Sequence, residues 1–89
     1  MFVTDFTIIR SGEIVGMLRF DGQGFSVPHL PDLRELLCPL TIKGHEVTIT
    51  DDGGRTFVRI NPHDMTKNMV LRSIKQRLTY SGFVLEPHQ

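Results

Sequence analysis

The chain has no tryptophan, one tyrosine and one cysteine among its 89 residues. A single thiol, Cys38, closes no internal disulfide, so stability has to come from a packed core. That cysteine usage fits a reducing, cytoplasmic compartment. Neither sign of charge is in excess, because ten Lys and Arg balance ten Asp and Glu. A neutral chain sets up no overall field to steer it to DNA, RNA or anionic lipid. No apolar run approaches the roughly 20 residues that span a bilayer, and no membrane partner is expected. The opening Met1–Asp5 lacks a basic n-region and an apolar h-region, so no signal peptide is expected. His29, His45, His63 and His88 are never spaced i, i+4 or grouped with Cys38, which gives no zinc pattern. Asp51-Asp52-Gly53-Gly54 lacks the alternating oxygen ligands of a calcium loop. No P-loop, dinucleotide glycine pattern or nucleophile elbow is present, so no metal and no cofactor are expected.

What is present is apolar patterning with clear punctuation. Residues 1–27 hold two β-rich runs, one with Phe2, Phe6, Ile8 and Ile9, the other with Ile14, Val15, Met17, Leu18 and Phe20. Ser11-Gly12 between them reads as a two-residue hairpin loop. In that register Ile9 faces Ile14, Phe6 faces Met17 and Thr4 faces Arg19. Asp21-Gly22-Gln23-Gly24 is a second turn, and Phe25-Ser26-Val27 a third strand. Residues 28–40 change character. Pro31 suits a first helical position, and Leu33, Leu36, Leu37 and Leu40 recur at helical spacing. The helix ends near Cys38-Pro39, and Cys38 beside the leucines reads as a small core residue. Residues 41–60 read as a second hairpin, "HEVTIT" against "RTFVRI", with Asp52-Gly53 as its turn. Val47 then faces Val58 and Ile49 faces Thr56.

The stretch 61–79 reads as the long helix. Asn61 is a good N-cap and Pro62 a good first residue, with Thr66 a competing later start. Val70, Leu71, Ile74 and Leu78 share an arc of about 100°, the width of a core-facing stripe. The same helix carries the cations Lys67, Arg72, Lys75 and Arg77. Arg72 and Lys75 lie opposite the apolar arc, Arg77 at its edge and Lys67 within it, so the four do not line one stripe as a phosphate-tracking helix would. Phe83-Val84-Leu85 is a last short strand. The expected fold is one α+β domain of order β-β-β-α-β-β-α-β, with a small antiparallel sheet and the C-terminal helix packed on it.

Gly44-His45, Asp52-Gly53 and Leu71-Arg72-Ser73-Ile74, within residues 43–76, resemble the core of HicA-type toxins. These are small RNA-cleaving partners of toxin–antitoxin systems, with a double-stranded-RNA-binding-like α-β-β-β-α fold. The resemblance implies a catalytic role for His45, a side chain whose ordinary pKa suits general acid–base chemistry near neutrality. It also implies nucleic-acid contact by Lys67, Arg72, Lys75 and Arg77.

A different expectation comes from the residues themselves. In the simple hairpin register both faces of the N-terminal ribbon carry apolar groups, more than a small sheet hides on one side. Phe2, Phe6, Ile8, Val15 and Met17 are the candidates for that surplus. Surplus apolar surface is usually covered by a partner, often a second copy. The favoured expectation is therefore a non-enzymatic interaction module, a homodimer or the binder of another protein. RNA binding or cleavage through His45 and the basic helix is the alternative.

Overall fold

The computed structural model describes residues 5–88 and, at Asp52, the backbone alone. Ten elements follow one another: β1 (Asp5–Arg10), β2 (Glu13–Phe20), β3 (Gly24–Pro28), α1 (Pro31–Leu37), β4 (Thr41–Ile42), β5 (His45–Glu46), β6 (Ile49–Asp52), β7 (Arg55–Arg59), α2 (Lys67–Tyr80) and β8 (Phe83–His88). Six strands form one sheet in the order β6-β7-β3-β2-β1-β8, and every neighbouring pair runs antiparallel. β4 and β5 make a separate two-stranded ribbon. The fold is α+β, as expected, and α2 packs against the sheet alongside α1. No helix among the described residues is long and apolar enough to cross a membrane.

The first hairpin turns through Ser11-Gly12, both with positive φ (53° and 79°), as a tight two-residue loop requires. Ile9 pairs with Ile14. Beyond that the simple register fails. Ile8 pairs with Gly16, Thr7 with Met17 and Phe6 with Leu18, because Val15 is an extra residue without a partner on β1. This is a β-bulge, and one inserted residue inverts the faces of everything past it. The pairing expected between Phe6 and Met17 is thus corrected, and Thr4 lies outside the described residues.

The bulge sorts the strand. Phe6, Ile8 and Leu18 now share the helix-covered face and are buried. Phe25, Val27 and Val58 continue that face across β3 and β7, fully buried, and Phe83 adds the β8 edge. From the helices Leu33, Leu37, Val70, Ile74 and Leu78 close the core, each at zero exposure. Burial of each such side chain contributes about 1.5–3 kcal/mol before chain entropy is subtracted.

The second hairpin also departs from expectation. Its loop is Gly53-Gly54, so that Asp52 pairs with Arg55, Asp51 with Thr56 and Ile49 with Val58. Both loop residues have positive φ, 57° and 84°. Two glycines adopt that geometry without the steric cost an aspartate would meet at the first position. The run 45–50 is not one strand. It breaks between β5 and β6, where Val47 turns inward, buried, and donates its N–H to the Leu40 carbonyl.

The long helix begins at Lys67, the later of the two possible starts. Thr66 is its N-cap, and the Thr66 hydroxyl accepts the Met69 N–H at 3.2 Å. Asn61 instead opens a separate turn, whose carbonyl accepts the N–H groups of Asp64 and Met65. Cys38 caps α1 through its backbone and is exposed, contrary to the core role expected of it. The terminal strand runs to His88, three residues further than 83–85.

Gly24 shows how tightly β3 and β7 are set together. A Cβ there would stand 2.2 Å from the Val58 carbonyl oxygen and 3.0 Å from the Arg59 Cα, and backbone cannot yield as a side-chain tip can. Gly24→Ala should therefore lower stability by about 2–3 kcal/mol in urea unfolding, the usual scale for an overpacked site. Unchanged stability would mean that the two strands are not so closely apposed.

Candidate functional site

Both helices lie on one face of the sheet, and among the described residues the other face carries no element. Pleat alternation decides what stands there. Ile14, Ile9 and Val84 form a row across β2, β1 and β8, because Ile9 pairs with both of the others. Ile14 is 73% exposed and Val84 53%. Met17, Thr7 and Glu86 form the next row. Arg19, Ser26, Phe57 and Thr50 make another, running from β2 to β6. The face is thus apolar at the β1–β2–β8 corner, with half-buried Met17 and Phe57 extending it inward.

Charge is divided across this surface. Arg55 lies over β3 and β2: its Nη2 donates to the Met17 carbonyl at 2.7 Å and the Ser26 carbonyl at 3.0 Å, and its Nε donates to the Ser26 hydroxyl at 3.0 Å. Burial, and then the nearby positive charge of Arg19, lower its pKa from the ordinary arginine value. It stays charged near neutrality, since an arginine starts so far above that range. Glu86 faces outward at the opposite side on β8, and alternation along β1 sets Asp5 outward next to Arg19's strand.

The expected interface residues are redistributed. Phe6 (6% exposed) and Ile8 (0%) are in the core and offer no surface. Val15 is half-buried and packs on the core from the bulge. Of the four that are described, Met17 alone stands on the uncovered face; Phe2 lies outside the described residues. Ile9, Ile14, Phe57 and Val84 take over. The signal that could have found them is the Ile9–Ile14 pairing, legible from the Ser11-Gly12 turn. The extra residue at Val15 had no sequence mark.

The four cations of α2 point in different directions. The Lys67 ammonium sits 4.4 Å from the centre of the Phe20 ring and that of Lys75 4.9 Å from the centre of Phe6. Arg77 donates to the Leu36 carbonyl at 3.1 Å, tying α2 to the end of α1. Arg72 is exposed on the outer side of the helix. His45 is exposed on β5, with its Nδ1 3.8 Å from the Asp64 Oδ2; that oxygen also accepts the Asn61 amide at 2.6 Å.

A second polar cluster is structural. Asp51 Oδ1 accepts the hydroxyl of fully buried Thr56 at 2.9 Å and the Arg34 guanidinium at 3.2 Å, with His29 Nδ1 also at 3.2 Å. It ties α1 to the β6–β7 hairpin. No cluster of three or more His, Cys, Asp or Glu side chains suited to a metal occurs among the described residues. The chain matches no protein-family model, no curated protein and no solved structure.

Arg55 and Arg19 should separate cleanly on mutation. Arg55→Ala leaves two strand carbonyls and a hydroxyl without their donor and should cost about 1.5–3 kcal/mol in urea unfolding. Arg19→Ala removes a neighbouring like charge and should change stability by less than about 0.5 kcal/mol. Equal effects from the two would show that Arg55 does not brace the sheet.

Proposed function

We propose that this chain is a non-enzymatic, self-associating interaction module whose uncovered sheet face takes a second copy. The observation that carries this reading is the Ile14–Ile9–Val84 row, held outward by regular pairing on a face without helices. The area is adequate. Six strands at ~4.8 Å spacing and ~17 Å long project about 500 Å², and side chains add accessible surface beyond the projection. Two such faces approach the roughly 1,200–1,600 Å² buried by a specific interface.

A copy of the same chain is taken as the partner because a two-fold axis lets one surface serve as both halves of the contact. The single cysteine fits a cytoplasmic setting for such a module.

Light scattering during gel filtration should give a dimer mass at tens of micromolar. Ile14→Glu buries a charge against its copy and should weaken the dimer about 100-fold or more, while leaving the fold intact because Ile14 touches little of its own chain. A monomer mass for the unmodified protein at several hundred micromolar would end this reading.

The second reading, RNA binding or HicA-like cleavage, draws on the nearness of Asp64 to His45, though at 3.8 Å from Nδ1 the carboxylate is too far to hydrogen-bond and orient the imidazole. The dispersal of Lys67, Lys75 and Arg77 onto aromatic rings and a helix end weighs against it. On this reading His45→Ala abolishes cleavage of a single-stranded RNA probe with binding kept. Absence of RNA binding by the wild type in low salt rejects it.

A further inference from the structure

An open cleft of about 660 Å³ lies at the end of β2 opposite Ile14, between the β2–β3 turn, the end of β7 and the β4–β5 ribbon. Half-buried Ile60 and buried Met65 give it an apolar base. Gln23, Glu46, Thr48 and Arg59 stand around it, with Asn61 at the rim. Its volume falls in the range of small-molecule sites, and its make-up of an apolar base with a few polar groups is the usual one.

The charges select the ligand. The ion pairs among the described residues are Arg10–Asp32, Arg34–Asp51 and the histidine contacts His29–Asp51 and His45–Asp64, so neither Arg59 nor Glu46 is spent on a partner there. A simple anion would meet Arg59 but be repelled by Glu46. A simple cation would meet the reverse. A molecule carrying both charges satisfies the two together, with bidentate hydrogen bonding of its carboxylate by the guanidinium. The Gln23 amide and the Thr48 hydroxyl supply neutral donors and acceptors between them. We propose that this cleft binds a small zwitterion of the amino-acid type, its carboxylate on Arg59 and its ammonium on Glu46. The cleft lies at the end of the sheet away from the Ile14 row, with Arg59 on the uncovered face by alternation from Phe57, and the proposal does not rest on self-association.

The test is a titration of the ¹⁵N-labelled full chain, followed by amide shifts, with the series glycine, β-alanine, 4-aminobutyrate and 6-aminohexanoate, which varies the distance between the charges. Butylamine and butyrate serve as single-charge controls. At least one zwitterion should saturate the shifts of Gln23, Arg59 and Ile60 with a Kd below about 5 mM, at least about tenfold tighter than either control. Arg59→Gln and Glu46→Gln should each weaken it about tenfold or more. Both side chains are exposed, and the same spectra report whether each variant is folded. The proposal fails if no member of the series saturates by about 50 mM. It fails equally if butylamine or butyrate binds as well, or if folded variants bind like the wild type.

Discussion

Val15 stands without a cross-strand partner between Ile14 and Gly16, and the parity of β2 changes there. A strand has two faces and a period of two, so one additional residue decides which half of the following side chains enters the core. Past the bulge, Leu18 joins Phe6 and Ile8 under the helices, and Met17 and Arg19 turn to solvent. Before it, Ile14 stays with Ile9 on the outer side. The core is thereby made contiguous from β1 to β7, and a residue of apolar surface is left at the corner where β2, β1 and β8 meet. The core of the domain depends on that local irregularity, whereas the outward-facing apolar row is set by the Ser11-Gly12 turn before it.

Cationic side chains are used as structural pieces to an unusual degree for so small a domain. Lys67 and Lys75 lie over the Phe20 and Phe6 rings, and Arg10 over Phe83 at 5.1 Å. In each case the long apolar stem shields an aromatic edge of the core while the charge remains wet. Arg77 satisfies a carbonyl at the end of α1, and Arg55 spans three strands. A helix with four cations and no acidic residue looks like a polyanion-binding element in one dimension. In three dimensions its charges close gaps at the margin of the sheet.

The two layers give the molecule one wet face and one committed face. Helix-covered positions form the core without a buried side-chain polar group lacking a partner among the described residues. The uncovered face is where charge and apolar groups remain available. The cleft beside β7 lies at the junction of the short β4–β5 ribbon with the main sheet, and its residues come from three stretches of chain, 22–23, 46–48 and 59–65.

Sequence alone was sufficient for the fold class, for the three opening strands and the order of the two helices, for the Ser11-Gly12 turn and for the inward stripe of α2, but not for the separate β4–β5 ribbon, which raises the expected eight elements to ten. These rest on short-range physics: backbone preferences of glycine and proline, and apolar spacing of two or near four. It also offered both Asn61 and Thr66 as helix starts, and a turn at Asp52-Gly53 that moved one residue on to Gly53-Gly54. The tertiary structure decided the rest. The bulge at Val15, the break between β5 and β6 around buried Val47, and the exposure of Cys38 all follow from how distant elements compete for one core. So does the gathering of Arg59 with Glu46 and Gln23. Those positions are separated by 13 to 36 residues, and only closure of the sheet, which trades chain entropy for burial of the common apolar layer, brings them together.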